Sequence, residues 1–367
     1  MSVEKIIASF NIPGPVTWIK PYGGGHINDT YQVHCQHSAV SNYLLQKVNT
    51  YVFRDIVGLM NNFDLVTNHL RRKLIENNIK DVARRSLEVI KTKKGDLYQN
   101  VDGQSWRVLN FIEDHKVFAS APNPEIAYEG ARMFGLFLTQ LSDLDPSMIV
   151  DTIPNFHNIS FRFDNFEKAV KLDSAGRVDL VKEEIKYVRS SHEIMSVIQN
   201  LGEKRVIPLR IVHNDTKINN VLFNHQNKGL CVIDLDTIMP GFVHFDFGDG
   251  IRTSANTGVE DDEDLKNVNY DLSMFEAFSA GYLDSIRHIL TPEELNSLAH
   301  AALLFPFIMG LRFLTDYISG DVYYKIKYKE HNLVRARAQF RLAQDGEAKL
   351  AEMQRILKKL FSKYKNY

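Results

Sequence analysis

Along the first hundred or so positions the apolar residues come in short runs, broken by polar and glycine-bearing turns. Val16-Thr17-Trp18-Ile19 and Thr30-Tyr31-Gln32-Val33-His34-Cys35 flank Gly23-Gly24-Gly25, a strand–turn–strand pattern. Tyr43-Leu44-Leu45-Gln46-Lys47-Val48 reads as a third strand. Leu87-Glu88-Val89-Ile90 and Trp106-Arg107-Val108-Leu109 read as two more, joined across the polar turns at Gly95-Asp96 and Asp102-Gly103. One helical period interrupts them: between Asp55 and Leu74, residues Ile56, Leu59, Met60, Phe63 and Val66 recur at helical spacing.

After Asn110-Phe111-Ile112-Glu113-Asp114 the period changes to that of helices. Pro124 to Leu141 is amphipathic, with Ala127, Ala131, Phe134, Leu138 and Leu141 near one face. Val178 to Asn200, Pro292 to Ser319 and Leu333 to Tyr364 are the other long helical stretches, and there are no repeats or long Pro/Ser linkers. The pattern predicts an α+β chain: a small antiparallel β-rich lobe over residues 1–110, a short hinge at 111–115, and a larger, mainly helical lobe over 116–367.

The length of 367 residues exceeds what one core usually serves, which agrees with two lobes. With 44% hydrophobic and 24% charged residues the composition is that of a soluble globular protein. The net charge is −1, and Lys91-Thr92-Lys93-Lys94 and Lys358-Lys359 are short solvated clusters rather than a basic stripe, so no nucleic-acid partner is expected. Cys35 and Cys231 lie in apolar strand-like runs without metal-ligand spacing, as free buried thiols of a reducing cytosol would. Met1 to Phe10 lacks a signal-peptide core. Ala301 to Ile318 is very apolar but contains Pro306, Arg312 and Asp316, which suits a buried helix pair better than a membrane span. The expectation is a cytoplasmic monomer or weak dimer with no membrane partner.

The candidate chemistry lies in His213-Asn214-Asp215-Thr216-Lys217-Ile218-Asn219-Asn220 and Val232-Ile233-Asp234-Leu235-Asp236. A carboxylate, then an amide, then a second carboxylate in this order suit phosphoryl transfer: Asp215 takes the proton of an attacking hydroxyl, while Asn220 and Asp234 hold Mg²⁺ against nucleotide phosphates. Lys217 is placed to steady the transferring group, and His213 reads as a brace of the loop. Asp236 points the same way as Asp234 in a strand and is either a second ligand or a neighbour of one. Asp246-Phe247-Gly248 matches the metal-binding triplet of protein kinases in letters, but it falls too far beyond Asn220. Asp246 therefore reads as a structural acceptor for the catalytic-loop backbone, with Asp249 and Arg252 in the same network. Gly23, Gly24 and Gly25 let backbone amides approach phosphate, and Lys47 is the candidate cation for it. Arg312, in an apolar helix, needs a partner: either Asp316, one turn on, or an acceptor-rich substrate.

These residues resemble the aminoglycoside phosphotransferase-like superfamily, whose choline, homoserine and sugar kinases are built on a reduced protein-kinase fold. The resemblance implies that fold, ATP as co-substrate, Mg²⁺, Asp215 as base, Asn220 and Asp234 as metal ligands, and Phe111-Ile112 as the hinge against adenine. Within it the chain is most similar to the N-acetylhexosamine 1-kinases. The similarity lies in Gly24-Gly25-His26-Ile27-Asn28-Asp29-Thr30-Tyr31, Asp215-Thr216-Lys217, Ile233-Asp234-Leu235-Asp236-Thr237-Ile238-Met239-Pro240-Gly241 and Leu311-Arg312-Phe313-Leu314-Thr315-Asp316-Tyr317. That implies transfer to the anomeric hydroxyl of N-acetylglucosamine or N-acetylgalactosamine, with His26, Arg312 and Tyr323 contacting the sugar. Lys47 stands where relatives often carry Arg. The competing readings are a kinase of choline, homoserine or another small acceptor, and a non-catalytic nucleotide-binding module.

Overall fold

The computed structural model describes residues 2–23, 27–36 and 41–364. The chain opens with helix α1 (Val3–Ile7) and strands β1 (Val16–Pro21), β2 (Asp29–Cys35) and β3 (Asn42–Val48). Helices α2 (Ile56–Glu76) and α3 (Val82–Arg85) precede β4 (Val89–Ile90), β5 (Gln99–Val101) and β6 (Gln104–Asn110). Next come α4 (Pro124–Leu141), α5 (Ile159–Leu172), α6 (Lys182–Met195) and α7 (Val197–Glu203). Four short strands follow, β7 (Arg210–Val212), β8 (Val221–Phe223), β9 (Gly229–Val232) and β10 (Met239–Gly241). Helices α8 (Val243–Ser254), α9 (Leu272–Ile286), α10 (Pro292–Ser297), α11 (Ala301–Ser319) and α12 (His331–Tyr364) complete the described chain.

These elements form two compact units. The first comprises Met1–Val117, Gln140–Pro154 and Asn220–Pro240; the second comprises Phe118–Thr139, Asn155–Asn219 and Gly241–Tyr367. In the first, an antiparallel sheet runs in the order β1-β2-β3-β6-β4, with β5 paired to β6. Side chains alternate across it. Val33, Cys35, Tyr43, Leu45, Trp106 and Val108 share one face and pack with Ile6, Ile7 and Phe10 of the N-terminal segment. Because Gln46 pairs in register with Thr30 on β2 and with Arg107 on β6, the opposite face carries a polar row across three strands. The same unit contains the antiparallel β8–β9 hairpin.

The second unit is helical apart from its short strands. Phe247 of α8 lies within 6.1 Å of Phe275, 6.0 Å of Phe278 and 5.4 Å of Tyr282 on α9, an edge-on aromatic cluster. The apolar stretch Pro292–Ser319 is mostly interior, with 78% of its most apolar window buried. Both cysteines are buried thiols outside any disulfide.

Two expected helices are interrupted at serines. The stretch read as one helix from Val178 resolves into a 3₁₀ turn, α6 and α7, with the break at Ser196, whose hydroxyl donates to the His192 carbonyl at 2.7 Å. Pro292–Ser319 breaks after Ser297, whose hydroxyl donates to the Glu293 carbonyl at 2.6 Å. In each case a side chain turns back onto the preceding turn, where the helix ends. Helices α5, α8 and α9 were not anticipated.

Helices α4 and α9 approach at backbone distance. A Cβ on Gly281 would lie 2.0 Å from the Tyr128 carbonyl oxygen, and one on Gly135 would lie 2.6 Å from that of Tyr282. Neither obstacle is a side chain able to swing away. Gly281→Ala is therefore expected to destabilise the protein by about 2 kcal/mol through overpacking, read as a lower urea midpoint at unchanged m-value.

Candidate active site

The candidate catalytic loop leaves β7 in the second unit, and its backbone is held by a buried carboxylate. Asp246, in the first turn of α8, accepts from the backbone N–H of His213 at 2.9 Å and of Asn214 at 2.7 Å. Its own carbonyl accepts from the Thr216 hydroxyl at 2.5 Å. Burial pushes the Asp246 carboxyl up to about 6, against the opposing pull of His213 and the two backbone N–H groups. His213 is buried with its ring edge-on to Phe134 at 5.6 Å and Phe137 at 5.8 Å, and its Nδ1 accepts from the Asp215 N–H at 3.3 Å. Asn214 stands in the left-handed region, φ 65°, where Asn is among the few residues tolerated. His157 closes the loop from another side, with Nε2 donating to the Asn214 carbonyl at 3.2 Å. Burial holds His157 down at about 4, so its ring is neutral at pH 7.

This support brings out the two groups that the sequence assigns to chemistry. Asp215 is half-buried, and its Oδ1 lies 2.6 Å from the Lys217 ammonium. Burial works against the lysine's charge, but the carboxylates of Asp215 and Asp249 outweigh it and raise its pKa. Asp249 in turn forms an ion pair with buried Arg252 at 2.7 Å. The outcome is a carboxylate and an ammonium fixed side by side, a proton acceptor next to a stabiliser of anionic charge.

In the first unit the candidate metal ligands meet at the end of the β8–β9 hairpin. The hairpin register pairs Val221 with Val232, and the Ile233 N–H donates to the Asn220 carbonyl at 2.9 Å, so Asn220 and Asp234 are neighbours across it. Asp234 is exposed and left-handed, φ 62°. An amide and a carboxylate, both oxygen donors, fit the preference of Mg²⁺ for one or two protein oxygens plus phosphate. Among the described residues no group of three His, Cys, Asp or Glu side chains is gathered as a self-sufficient metal cage.

Asp236 is engaged elsewhere. Arg107 donates to it from Nη1 at 2.5 Å and from Nη2 at 2.9 Å, both side chains being buried. Asn28 donates to the same carboxylate at 2.8 Å. Arg107 also donates from Nε to Gln46 at 2.9 Å and lies 4.8 Å from the centre of the Phe63 ring. Asn28 further accepts from the Asn49 N–H at 2.9 Å, so the segment just after the glycine turn is tied to the end of β3 and, through Asp236, to the segment just after Asp234. Sequence reasoning missed Arg107 and Asn28. The available signal was a lone arginine in the apolar strand Trp106-Arg107-Val108-Leu109.

Lys47 takes a different face. It shares the side of β3 that carries Tyr43 and Leu45, and it forms an ion pair with Asp29, its cross-strand register partner. Gly23 has φ 71° and open space around it, whereas Gly24, Gly25 and His26 lie outside the described residues. In the hinge, the Phe111 ring lies edge-on to Tyr22 at 5.3 Å, and Ile112 is buried with its carbonyl 2.5 Å from His115 Nδ1.

Arg312 and Tyr323 lie in the second unit. Asp316 is not the partner of Arg312: its carboxylate accepts from the N–H groups of Val322, Tyr323 and Tyr324 at 2.8 to 3.0 Å and from Asn332 at 2.9 Å. Arg312 instead lies 5.6 Å from the ring centres of Phe156 and Tyr324 and donates to the Met309 sulfur at 3.7 Å. Tyr323 is exposed.

The chain matches the family model described as the phosphotransferase enzyme family over residues 18–271. It belongs to that family. An aminoglycoside phosphotransferase from Alicyclobacillus acidocaldarius superposes with a TM-score of 0.62 at 13% identity, covering 98% of this chain and 97% of that one. A choline kinase from Cryptosporidium parvum gives 0.58 at 14% identity, with 98% of both chains covered. A microcompartment-associated aminopropanol kinase gives 0.58 at 13% identity, covering 96% of this chain and 97% of that one. At these identities the likeness concerns the fold, which is protein-kinase-like, with an antiparallel β N-lobe and a helical C-lobe.

Breaking the buried pair by Asp236→Ala would strand the Arg107 guanidinium away from water. It is expected to destabilise the protein by about 3–5 kcal/mol, whereas the apolar double replacement Arg107→Met with Asp236→Leu recovers much of the loss. Urea denaturation of the single and double variants checks this.

Proposed function

We propose that the protein is an ATP-dependent kinase that phosphorylates the anomeric C1 hydroxyl of N-acetylhexosamines, N-acetylglucosamine or N-acetylgalactosamine, releasing ADP and the sugar 1-phosphate. The observation that carries the reading is the Asp215–Lys217 pair at 2.6 Å on a loop whose backbone Asp246 holds. As the acceptor oxygen bonds to the γ-phosphorus, Asp215 takes its proton. The bond from that phosphorus to the β,γ-bridging oxygen breaks, and its electrons leave on ADP. Lys217 offsets the charge on the transferring phosphoryl oxygens.

Asn220 and Asp234 are the residues that would hold Mg²⁺, which when bound neutralises charge on the β- and γ-phosphates. Asp236, saturated by Arg107 and Asn28, serves as a strut for that strand end. Lys47 reaches phosphate only by leaving Asp29, so the phosphate charge rests mainly on the metal, on Lys217 and on the amides of the Gly23, Gly24 and Gly25 turn. Phe111 and Ile112 flank the adenine. His26, Arg312 and Tyr323 contact the sugar: Arg312, with no carboxylate partner among the described residues, donates to its oxygens, and the exposed Tyr323 ring stacks on its apolar face. A quaternary ammonium such as choline calls for an aromatic and acidic cage instead, which a guanidinium opposes. The buried thiols fit a cytoplasmic enzyme.

With ATP and Mg²⁺, ADP release is expected to be fastest for the two N-acetylated sugars among those, glucose, galactose, choline and homoserine. Turnover on choline or homoserine alone would overturn the sugar assignment. Asp215→Asn is expected to lower kcat by roughly a thousandfold, in the range of general-base losses, with nucleotide binding retained. Near-wild-type turnover in that variant contradicts the role of Asp215.

A further inference from the structure

The helical unit carries a second guanidinium that the transfer chemistry leaves unused. Arg162, near the start of α5, donates from Nη2 at 2.8 Å and from Nε at 3.3 Å to the carbonyl of Phe156, the residue whose ring lies beneath Arg312. Among the described residues neither guanidinium meets a carboxylate. Burial, with Arg312 as the next cause, lowers Arg162 to about 10, so the two cations share one partly dehydrated region. Tyr324, whose ring lies 5.6 Å from the Arg312 guanidinium, is a third member. Its hydroxyl is buried without a hydrogen-bond partner among the described residues, although burial favours the neutral, donating form. The neighbouring His157 is neutral and bonded to the Asn214 carbonyl, one residue before Asp215, so the cluster adjoins the catalytic loop.

Two guanidiniums gathered at Phe156 without a carboxylate among the described residues, and an orphan hydroxyl on the ring beside one of them, are costly unless a ligand brings electron-rich oxygen to them. We propose that Arg162, together with Arg312 and Tyr324, determines acceptor specificity: the cluster recognises a sugar through an amide or carboxylate oxygen and rejects one that presents an ammonium group. This rests on Arg312 contacting the acceptor. It adds Arg162 and Tyr324 to the residues that face the acceptor. The guanidinium of Arg162 presents further N–H groups beyond those used on Phe156, and a fork of this kind suits a carbonyl or carboxylate.

The test compares four acceptors on one ring, N-acetylglucosamine, glucuronate, glucose and glucosamine, with the wild type, Arg162→Gln and Arg162→Lys. For the wild type, kcat/KM is expected to be at least about tenfold higher for the N-acetyl or carboxylate sugar than for the amine, since like charges meeting in a site are strongly disfavoured. In Arg162→Gln that preference is expected to narrow by about tenfold through the KM of the acceptor, with Arg162→Lys intermediate and the KM for ATP unchanged. A uniform loss on all four acceptors, or a wild type that prefers glucosamine, overturns the proposal. If no sugar turns over, the sugar-kinase reading fails by itself, and the cluster is tested by calorimetric titration of glucuronate and glucosamine into the protein with Mg-ADP. Glucuronate binding that Arg162→Gln weakens upholds the cluster; tighter glucosamine binding, or no binding of either, overturns it.

Discussion

Asp246 is the constraint on which the catalytic loop depends. A carboxylate with no access to water must find hydrogen-bond donors, and here the donors are the backbone N–H groups of His213 and Asn214. Meeting that demand fixes the peptide immediately before Asp215. It also holds Asn214 in a left-handed conformation, at a cost of on the order of 1–3 kcal/mol that the surrounding contacts must offset. The aromatic edges of Phe134 and Phe137 against His213, and the bond from His157 to Asn214, leave the loop little freedom. Such pre-organisation is what the proposed role of Asp215, taking a proton within a narrow geometry, requires.

The first unit uses the same device. Asp234, like Asn214, is a left-handed polar residue at the end of a strand, and a buried carboxylate two residues on, Asp236, is saturated by Arg107 and Asn28. In both places a candidate site residue, half-buried Asp215 or exposed Asp234, lies close in the chain to a backbone position set by a buried carboxylate. A buried ion pair is a poor source of net stability, because desolvation offsets most of its attraction, but it is effective at selecting one geometry. The Arg107–Asp236 pair also spends a cation that could otherwise have met phosphate.

Much of this was legible in the sequence, and the exceptions share a cause. Strands with alternating burial, α2 and the amphipathic α4 follow from period alone, since their apolar stripes match the cores they face. Asp246 could be assigned to the loop backbone because its distance from Asn220 was wrong for a metal ligand. What escaped depended on partners remote in the chain or on a single hydroxyl. The breaks at Ser196 and Ser297 leave the apolar period intact, and so they do not show in it. Arg107 stood out only as a charge in an apolar strand; its partner lies 129 residues away. Arg162 sits on α5, where nothing in the sequence marked it, and the proposal for it rests on a surrounding that, among the described residues, offers it no carboxylate.

Phosphorus–proton correlation NMR of the product formed from N-acetylglucosamine, ATP and Mg²⁺ tests the central claim most directly. One new phosphorus signal coupled to the anomeric proton, matched by an equal amount of ADP, is the expected result. Phosphorus coupled to the C6 protons or to any other ring proton, or ADP formed without a phosphorylated sugar, would contradict it.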